Sequence, residues 1–272
     1  MTMTKEIRMI TIDLDGTLLR SDGTVSDHTV AVLQEARRRG VVVAISTGRM
    51  YSTAKPYGLR LGLGDSPMIL FAGGLIQTIE TGKKLFEQPI SVADTLALLA
   101  LAKEHHWQMQ TYIDDVLRVA EDEPLIQEYE AITHCKAVIC GDAFYQTVPS
   151  GSNKVLMRGT HEELVQRKTL IETELPDRYM ICFSEPTFLE IMPKGIDKGV
   201  GIANLGKLYG IGVDQIMALG DSQNDIDMLK VAGLPIVMAN ASDEIKGYGA
   251  HITASNDDDG VAKAVETYIL QA

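Results

Sequence analysis

Cysteine is scarce in this chain of 272 residues: Cys135, Cys140 and Cys182 are the three present. Three thiols make no disulfide framework. The C-x4-C spacing of Cys135 and Cys140 has no second pair, which argues against a structural zinc site. Free thiols imply a reducing compartment. No stretch approaches the ~20 consecutive apolar residues of a membrane span, and Met1 to Arg8 carries no apolar signal region. Positive charge is also short: 25 Lys and Arg against 37 Asp and Glu leave a net charge of −12. That balance opposes general binding to nucleic acid or to an anionic membrane surface. The expectation is a cytoplasmic protein with neither as a partner, its oligomeric state left open. A phosphorylated substrate would need local cations, a metal ion and at least one Lys or Arg, to overcome the global field.

Several catalytic signatures are missing too. There is no Walker A sequence and no G-x-S-x-G elbow. Gly199 and Gly201 are not followed by the glycine that a dinucleotide fingerprint needs, since the next is Gly206. The loop from Asp13 to Thr24 opens like a calcium loop, but its twelfth position is Thr24 rather than Glu. His105-His106 ends an apolar helix, where a cation suits the dipole. His134 beside Cys135 gives no nucleophile signature.

What is present is an ordinary globular composition, 45% hydrophobic and 23% charged, in a chain long enough for one large or two medium domains. One stretch organises it: Ile10-Thr11-Ile12-Asp13-Leu14-Asp15-Gly16-Thr17-Leu18. A β-branched run ends at Asp13, because Asp and Gly are poor strand residues. The two acids then sit at the carboxyl end of a strand, where open α/β sheets bind ligands. Crowded carboxylates call for a cation or a shared proton, although an Asp-Gly turn in solvent is a common alternative. Ser26 caps a helix to about Arg39, with Gly40 as its stop. Val41–Ile45 is a second strand, giving a βαβ unit with parallel strands. A poorly defined helical stretch follows, disturbed by Pro56 and the glycines from Gly58 to Gly64. Pro67–Phe71 is a third strand.

Adjacent strands then replace the α/β alternation. A hairpin turns at Glu80-Thr81-Gly82-Lys83, and helices are expected after Ser91, around Pro124–Thr133 and over Glu162–Thr173. Short strands lie near Trp107–Tyr112, Val116–Val119, Ala137–Ile139, Phe144–Val148, Lys154–Met157, Met180–Phe183 and Phe188–Ile191. Residues 83–190 therefore read as an inserted α+β module. The alternation resumes with a helix over Lys198–Tyr209, a strand over Gln215–Leu219 and a helix over Asp225–Val231. The fold class is α/β: a doubly wound, mostly parallel, Rossmann-like core from residues 1–82 and 191–272, carrying an inserted α+β cap domain.

The candidate chemistry lies at strand ends. Asp221 and Asp225 follow Ile216–Leu219 as Asp13 and Asp15 follow the first strand. Mg²⁺ takes a few carboxylates plus water and phosphate oxygens, so these acids suit it; an N-cap is the alternative role. Thr47 and Gly48 end the second strand, where a hydroxyl and a bare N–H suit a phosphate oxygen. Lys198 starts a helix, where the dipole favours anions, so a cation there is unexplained without an anion before it. Lys194 is a weaker candidate for the same role.

Four motifs in this order, Asp13-Leu14-Asp15-Gly16-Thr17, Thr47-Gly48-Arg49, Lys198-Gly199 and Gly220-Asp221-Ser222-Gln223-Asn224-Asp225, resemble the haloacid dehalogenase-like hydrolases. The long insertion and Phe188-Leu189-Glu190-Ile191 look like the Cof-type subgroup with its large α/β cap. The resemblance implies that Asp13 is the nucleophile and Asp15 the general acid and base. It implies phosphate binding by Leu14, Thr47, Gly48, Lys198 and Asn224. It implies Mg²⁺ held among Asp13, Asp15 (through its main-chain carbonyl), Asp221 and Asp225, with Asp225 also supporting its loop. The implied cap closes over the site and reads the leaving group. In this subgroup the third strand commonly ends in Asn-Gly-Ala, where this chain has Ala72-Gly73-Gly74. The expected activity is a Mg²⁺-dependent phosphatase acting on small phosphorylated metabolites, sugar phosphates foremost. A phosphosugar mutase on the same fold and a non-catalytic phospho-metabolite sensor are the alternatives.

Overall fold

The computed structural model describes residues 6–271; the reading of the N-terminal segment rests in part on residues 1–5, which lie outside the described residues. In chain order the elements are β1 Met9–Asp13, α1 Asp27–Arg38, β2 Val42–Ser46, α2 Tyr51–Leu61, β3 Pro67–Leu70, β4 Leu75–Thr78 and β5 Lys84–Glu87. Next come α3 Val92–Glu104, β6 Gln110–Ile113, β7 Val116–Val119, α4 Pro124–Thr133, β8 Ala137–Ile139, β9 Lys154–Arg158, α5 His161–Glu174, β10 Tyr179–Glu185 and β11 Phe188–Pro193. The chain ends with α6 Lys198–Tyr209, β12 Ile216–Gly220, α7 Ile226–Val231, β13 Leu234–Val237, α8 Asp243–Lys246, β14 His251–Ile252 and α9 Gly260–Val265. Among the described residues, no helix is long and apolar enough to cross a membrane.

The core unit holds an eight-stranded sheet in the order β14-β13-β12-β1-β2-β3-β4-β5. Every pair from β14 to β3 is parallel, and the β3-β4-β5 edge is antiparallel. The central strand β1 is buried along its whole length, which suits its nearly continuous apolar run. Met9, Ala44, Ile69, Ile216 and Ala218 form one cluster with Ile202 and Leu205 of α6 and Met228 of α7. α1 packs on α9 and against β2, its buried stripe of Val30, Leu33 and Ala36 recurring at helical spacing. Ser26 accepts the Thr29 N–H as the N-cap of α1. Register pairs Asp13 with Ser46, and Ile12 with Leu219. The ends of β1, β2 and β12 therefore fall on one edge.

The cap unit has its own six-stranded sheet, β10-β11-β9-β6-β7-β8, antiparallel except for β7-β8. Side chains alternate across it. Val155, Met157, Leu189 and Ile191 pack against Leu98 and Leu99 of α3 and Leu164 and Ile171 of α5. Lys154, Leu156, Gln110 and Glu190 share the opposite face by register.

Three expectations need correction. The units divide at Gln88–Ile196, with Met50–Thr53 grouped with the cap. The hairpin strand β5, read from sequence as the start of the insertion, is an edge strand of the core sheet, so the transitions fall at 88 and 196 instead of 83 and 190. The stretch disturbed by Pro56 is the continuous helix α2. Pro56, the sixth residue of α2, removes one i→i−4 hydrogen bond, and the helix continues through it. Residues Phe144–Val148 form no strand; Gly141–Tyr145 is a tight helical turn that buries Phe144 in the cap core.

Candidate active site

Asp13 ends β1 almost fully buried. The chain then makes one wide turn over Leu14–Leu18, closed by the Leu19 N–H on the Leu14 carbonyl at 2.9 Å. Gly16 carries φ +81° in that turn, and a Cβ there would lie 2.5 Å from Asp221 Oδ2. The glycine thus lets the two acidic loops approach. Thr17 Oγ1 donates to Asp221 Oδ1 at 2.7 Å across the same gap.

Lys198 opens α6 behind the N-cap Asp197, whose side chain accepts the Val200 N–H at 2.8 Å. Its ammonium is 1% exposed. It donates to Asp13 Oδ1 at 2.5 Å, to Asp225 Oδ1 at 2.7 Å and to Asn224 Oδ1 at 3.1 Å. The other Asp225 oxygen accepts the N–H groups of Asp221 at 3.0 Å and Ser222 at 3.1 Å. Both oxygens of Asp225 are therefore engaged within the protein. This fits the loop-supporting role implied for Asp225. Asp13, Asp221 and Asp225 each offer an oxygen within 4.8 Å of the others.

This crowding is electrostatically costly. Burial, then the Asp225 charge, raises the Asp13 carboxyl well above its ordinary range, against the pull of Lys198. Burial likewise raises Asp221 to about 6, opposed by the Thr17 hydrogen bond. Burial acts against the Lys198 charge, but Asp13 and Asp225 more than offset it and hold the ammonium protonated. A carboxylate group that a single ammonium leaves under-compensated is a donor set that fits a hard divalent cation.

Thr47 follows β2 and is buried; its N–H donates to the Ile69 carbonyl at 2.9 Å, and its hydroxyl accepts the Arg49 N–H at 3.2 Å. Gly48 separates the two. The turn after β3 is anchored on this segment: the Ala72 N–H meets the Thr47 carbonyl at 3.0 Å and the Phe71 N–H meets that of Arg49 at 3.1 Å. Phe71 and Ala72 hold φ of 48° and 51°. Asn tolerates that region better than Ala, so Ala72 carries strain that an Asn in its place would lessen. Gly73, at φ +110°, has no such choice: a Cβ would sit 2.2 Å from the Asp197 carbonyl.

Asp13, Lys198, Asn224, Asp221 and Asp225 are thus joined by direct contacts or close approach. Asp15 stands apart from the Lys198 cluster, half-exposed, with Arg49 as its partner. Leu14 is fully buried, so only its backbone is available to a ligand. Lys194 is exposed and pairs with Asp177. Two supporting residues escape sequence reasoning. Asn240 Nδ2 donates to the Gly16 carbonyl at 2.8 Å, and Asn256 Nδ2 to that of Leu19 at 2.9 Å. They brace the Asp13 loop from more than 200 residues away, with no local signal in the sequence.

The profile of the haloacid dehalogenase-like hydrolase family matches residues 10–265. A 5-amino-6-(5-phospho-D-ribitylamino)uracil phosphatase of Bacillus subtilis is 30% identical, over 96% of this chain and 97% of its own. An HMP-PP phosphatase of Serratia proteamaculans is 32% identical, over 88% of this chain and 86% of its own. Among solved structures, a haloacid dehalogenase-like hydrolase from Bacteroides thetaiotaomicron superposes with a TM-score of 0.88 at 26% identity, over 96% of this chain and 99% of that one. The chain belongs to the haloacid dehalogenase-like hydrolases, as a Cof-type phosphatase.

Proposed function

We propose that this phosphatase hydrolyses small phosphorylated metabolites, sugar phosphates among them, with Mg²⁺ and through an aspartyl-phosphate on Asp13. The observation that carries the reading is the buried contact of Lys198 with Asp13 inside a group of three carboxylates. A buried carboxylate beside a fixed ammonium, on an edge lined by Thr47 and Asn224, suits in-line displacement at phosphorus, in which positioning and charge compensation do most of the work. The phosphorylated metabolites named for the relatives support the substrate class. The free thiols of Cys135, Cys140 and Cys182 support a reducing, cytoplasmic setting.

Asp13 and Asp221, with the Asp15 main-chain carbonyl, would hold Mg²⁺, which supplies positive charge that lets an anionic nucleophile meet an anionic phosphate. In the first step an Asp13 oxygen forms a bond to phosphorus as the ester P–O bond breaks. The leaving oxygen takes the proton of Asp15 and departs as the alcohol. In the second step water attacks phosphorus and gives a proton to Asp15, and the P–O bond to Asp13 breaks to release inorganic phosphate. Lys198, the Thr47 hydroxyl, the Gly48 and Leu14 N–H groups and the Asn224 amide orient the phosphoryl oxygens. Asp225 fixes Lys198 and the Asp221 loop.

A panel of phosphomonoesters assayed for phosphate release tests this reading. We expect turnover with Mg²⁺, almost none with EDTA, and a loss on the order of 10⁴-fold or more in Asp13→Asn. Folded wild-type protein that releases phosphate from no member, or an active Asp13→Asn, would refute it.

A further inference from the structure

Arg49 has no part in the reading above, yet it grips a residue of the site with a guanidinium fork. Its Nε donates to Asp15 Oδ2 at 2.9 Å and its Nη2 to Oδ1 at 2.5 Å. Asp15 is thereby bound through both oxygens, while Asp13 and Asp225 share Lys198. The arginine is itself fixed. Its N–H is tied to Thr47 Oγ1 and its carbonyl to the Phe71 N–H, so its backbone belongs to the segment that ends β2. Its guanidinium carbon lies 5.2 Å above the centre of the Tyr57 ring, a stacking that limits its freedom further. Asp15, by contrast, sits in an extended backbone conformation next to a glycine of positive φ, with its side chain half-exposed. The fork holds its carboxyl by both oxygens.

We propose that Arg49 is a positioning residue for Asp15: the planar fork sets the orientation of the carboxyl that gives a proton to the leaving oxygen and takes one from water. The proposal rests on the proton-transfer role assigned to Asp15 above. A parallel two-bond pair fixes a carboxylate plane as a point charge does not. Arg49 therefore matters most where the proton transfer matters most, with esters whose leaving group is a poor one. It matters little where the departing oxygen needs no proton.

The test uses the full-length protein with Mg²⁺ and two substrates, 4-nitrophenyl phosphate and glycerol phosphate, with wild type, Arg49→Gln, Arg49→Lys, Asp15→Asn and the Asp15→Asn/Arg49→Gln double variant. We expect Arg49→Gln to lower kcat on glycerol phosphate by about 10- to 100-fold, within the range of general acid–base effects, with KM little changed and a far smaller loss on 4-nitrophenyl phosphate. Arg49→Lys keeps the charge and guards against a folding defect; it should recover little of the kcat. The double variant should match Asp15→Asn alone, because a positioning residue has nothing to add once its target is gone. Equal losses on both substrates, a rise in KM alone, or losses that multiply in the double variant would overturn the proposal and make Arg49 a phosphate or leaving-group contact. Turnover of neither substrate by wild type, with no phosphate released from the wider panel either, would instead defeat the phosphatase reading, and this proposal with it.

Discussion

Among the described residues, each unit of this protein buries one lysine, and the two lysines are compensated differently. Lys154, in the cap sheet, is 6% exposed and meets the Glu190 carboxylate at 3.0 Å, with its ammonium 5.2 Å over the Tyr112 ring. Ser184 donates to the same Glu190 oxygen at 3.0 Å. Burial acts against the Lys154 charge, and Glu190 restores it. Lys154 and Glu190 thus pair one charge of each sign. Lys198 faces a group of three carboxylates, Asp13, Asp221 and Asp225. With all three ionised, the surplus is two negative charges, the charge of one divalent cation. Burial alone does not separate a structural ammonium from a functional one; the charge left over does.

The sharpest way to break the comparison is to remove each ammonium. Lys198→Met should lower kcat/KM by roughly 10³-fold, the scale of losing one preorganised charge-stabilising donor, as read by phosphate release. Lys154→Met should act on folding instead, costing about 3–5 kcal/mol in urea unfolding because Glu190 is left buried with no counter-charge. Lys154→Met/Glu190→Leu should return most of that loss, since an apolar pair can replace a balanced buried ion pair. No such repair is expected at Lys198, whose partners carry the chemistry in the function proposed above.

Gly16→Ala probes how closely the acids are packed. The new methyl would press on Asp221 at a backbone φ of +81°. We expect a cost of about 1–3 kcal/mol from backbone strain alone and weaker Mg²⁺ binding by calorimetry. The smallest effect concerns pH. Asp221 keeps its proton up to about 6 in the folded protein, against an ordinary value of 3.8. Between those values the folded state binds more protons than the unfolded one. Metal-free stability therefore falls as pH rises from about 4 to 6, with a slope of at most about 1.4 kcal/mol per pH unit from this one group. Asp221→Asn should flatten that slope, and added Mg²⁺ should oppose it by binding the ionised form. Unfolding midpoints at pH 4.5 and 7, with and without Mg²⁺, provide the measurement.

The strand-end chemistry is legible from sequence because it is local. An apolar run stopped by Asp13, another by Thr47 and another by Asp221 each announce a loop at a sheet edge, and the βαβ order brings those loops together. The caps at Ser26 and Ser91 are legible for the same reason, a single hydroxyl three residues before an unpaired N–H. Pairings set by tertiary geometry are not. Arg49 and Asp15 are 34 residues apart and meet only once β2 lies beside β1. Lys154 and Glu190 are 36 apart, in strands whose register a sequence does not display. Phe144–Val148 misleads because a short apolar run carries no period that separates a strand from a buried turn. The place of β5 misleads because a hairpin has the texture of the cap although it pairs with the core edge.

The position of β1 also bears on how the chain is made. Its β2 neighbour follows it closely out of the ribosome, but its partner on the other side, β12, begins only at Ile216. Between them the contiguous segment Gln88–Ile196 emerges whole and brings its own sheet. Through that interval the newly synthesised β1 has one edge of unpaired backbone N–H and C=O groups, open to pairing with another extended chain. A polypeptide stopped short of residue 216 therefore presents an adhesive strand that the finished protein buries. Full-length synthesis, which brings in Lys198 and Asp221, is also what closes that edge.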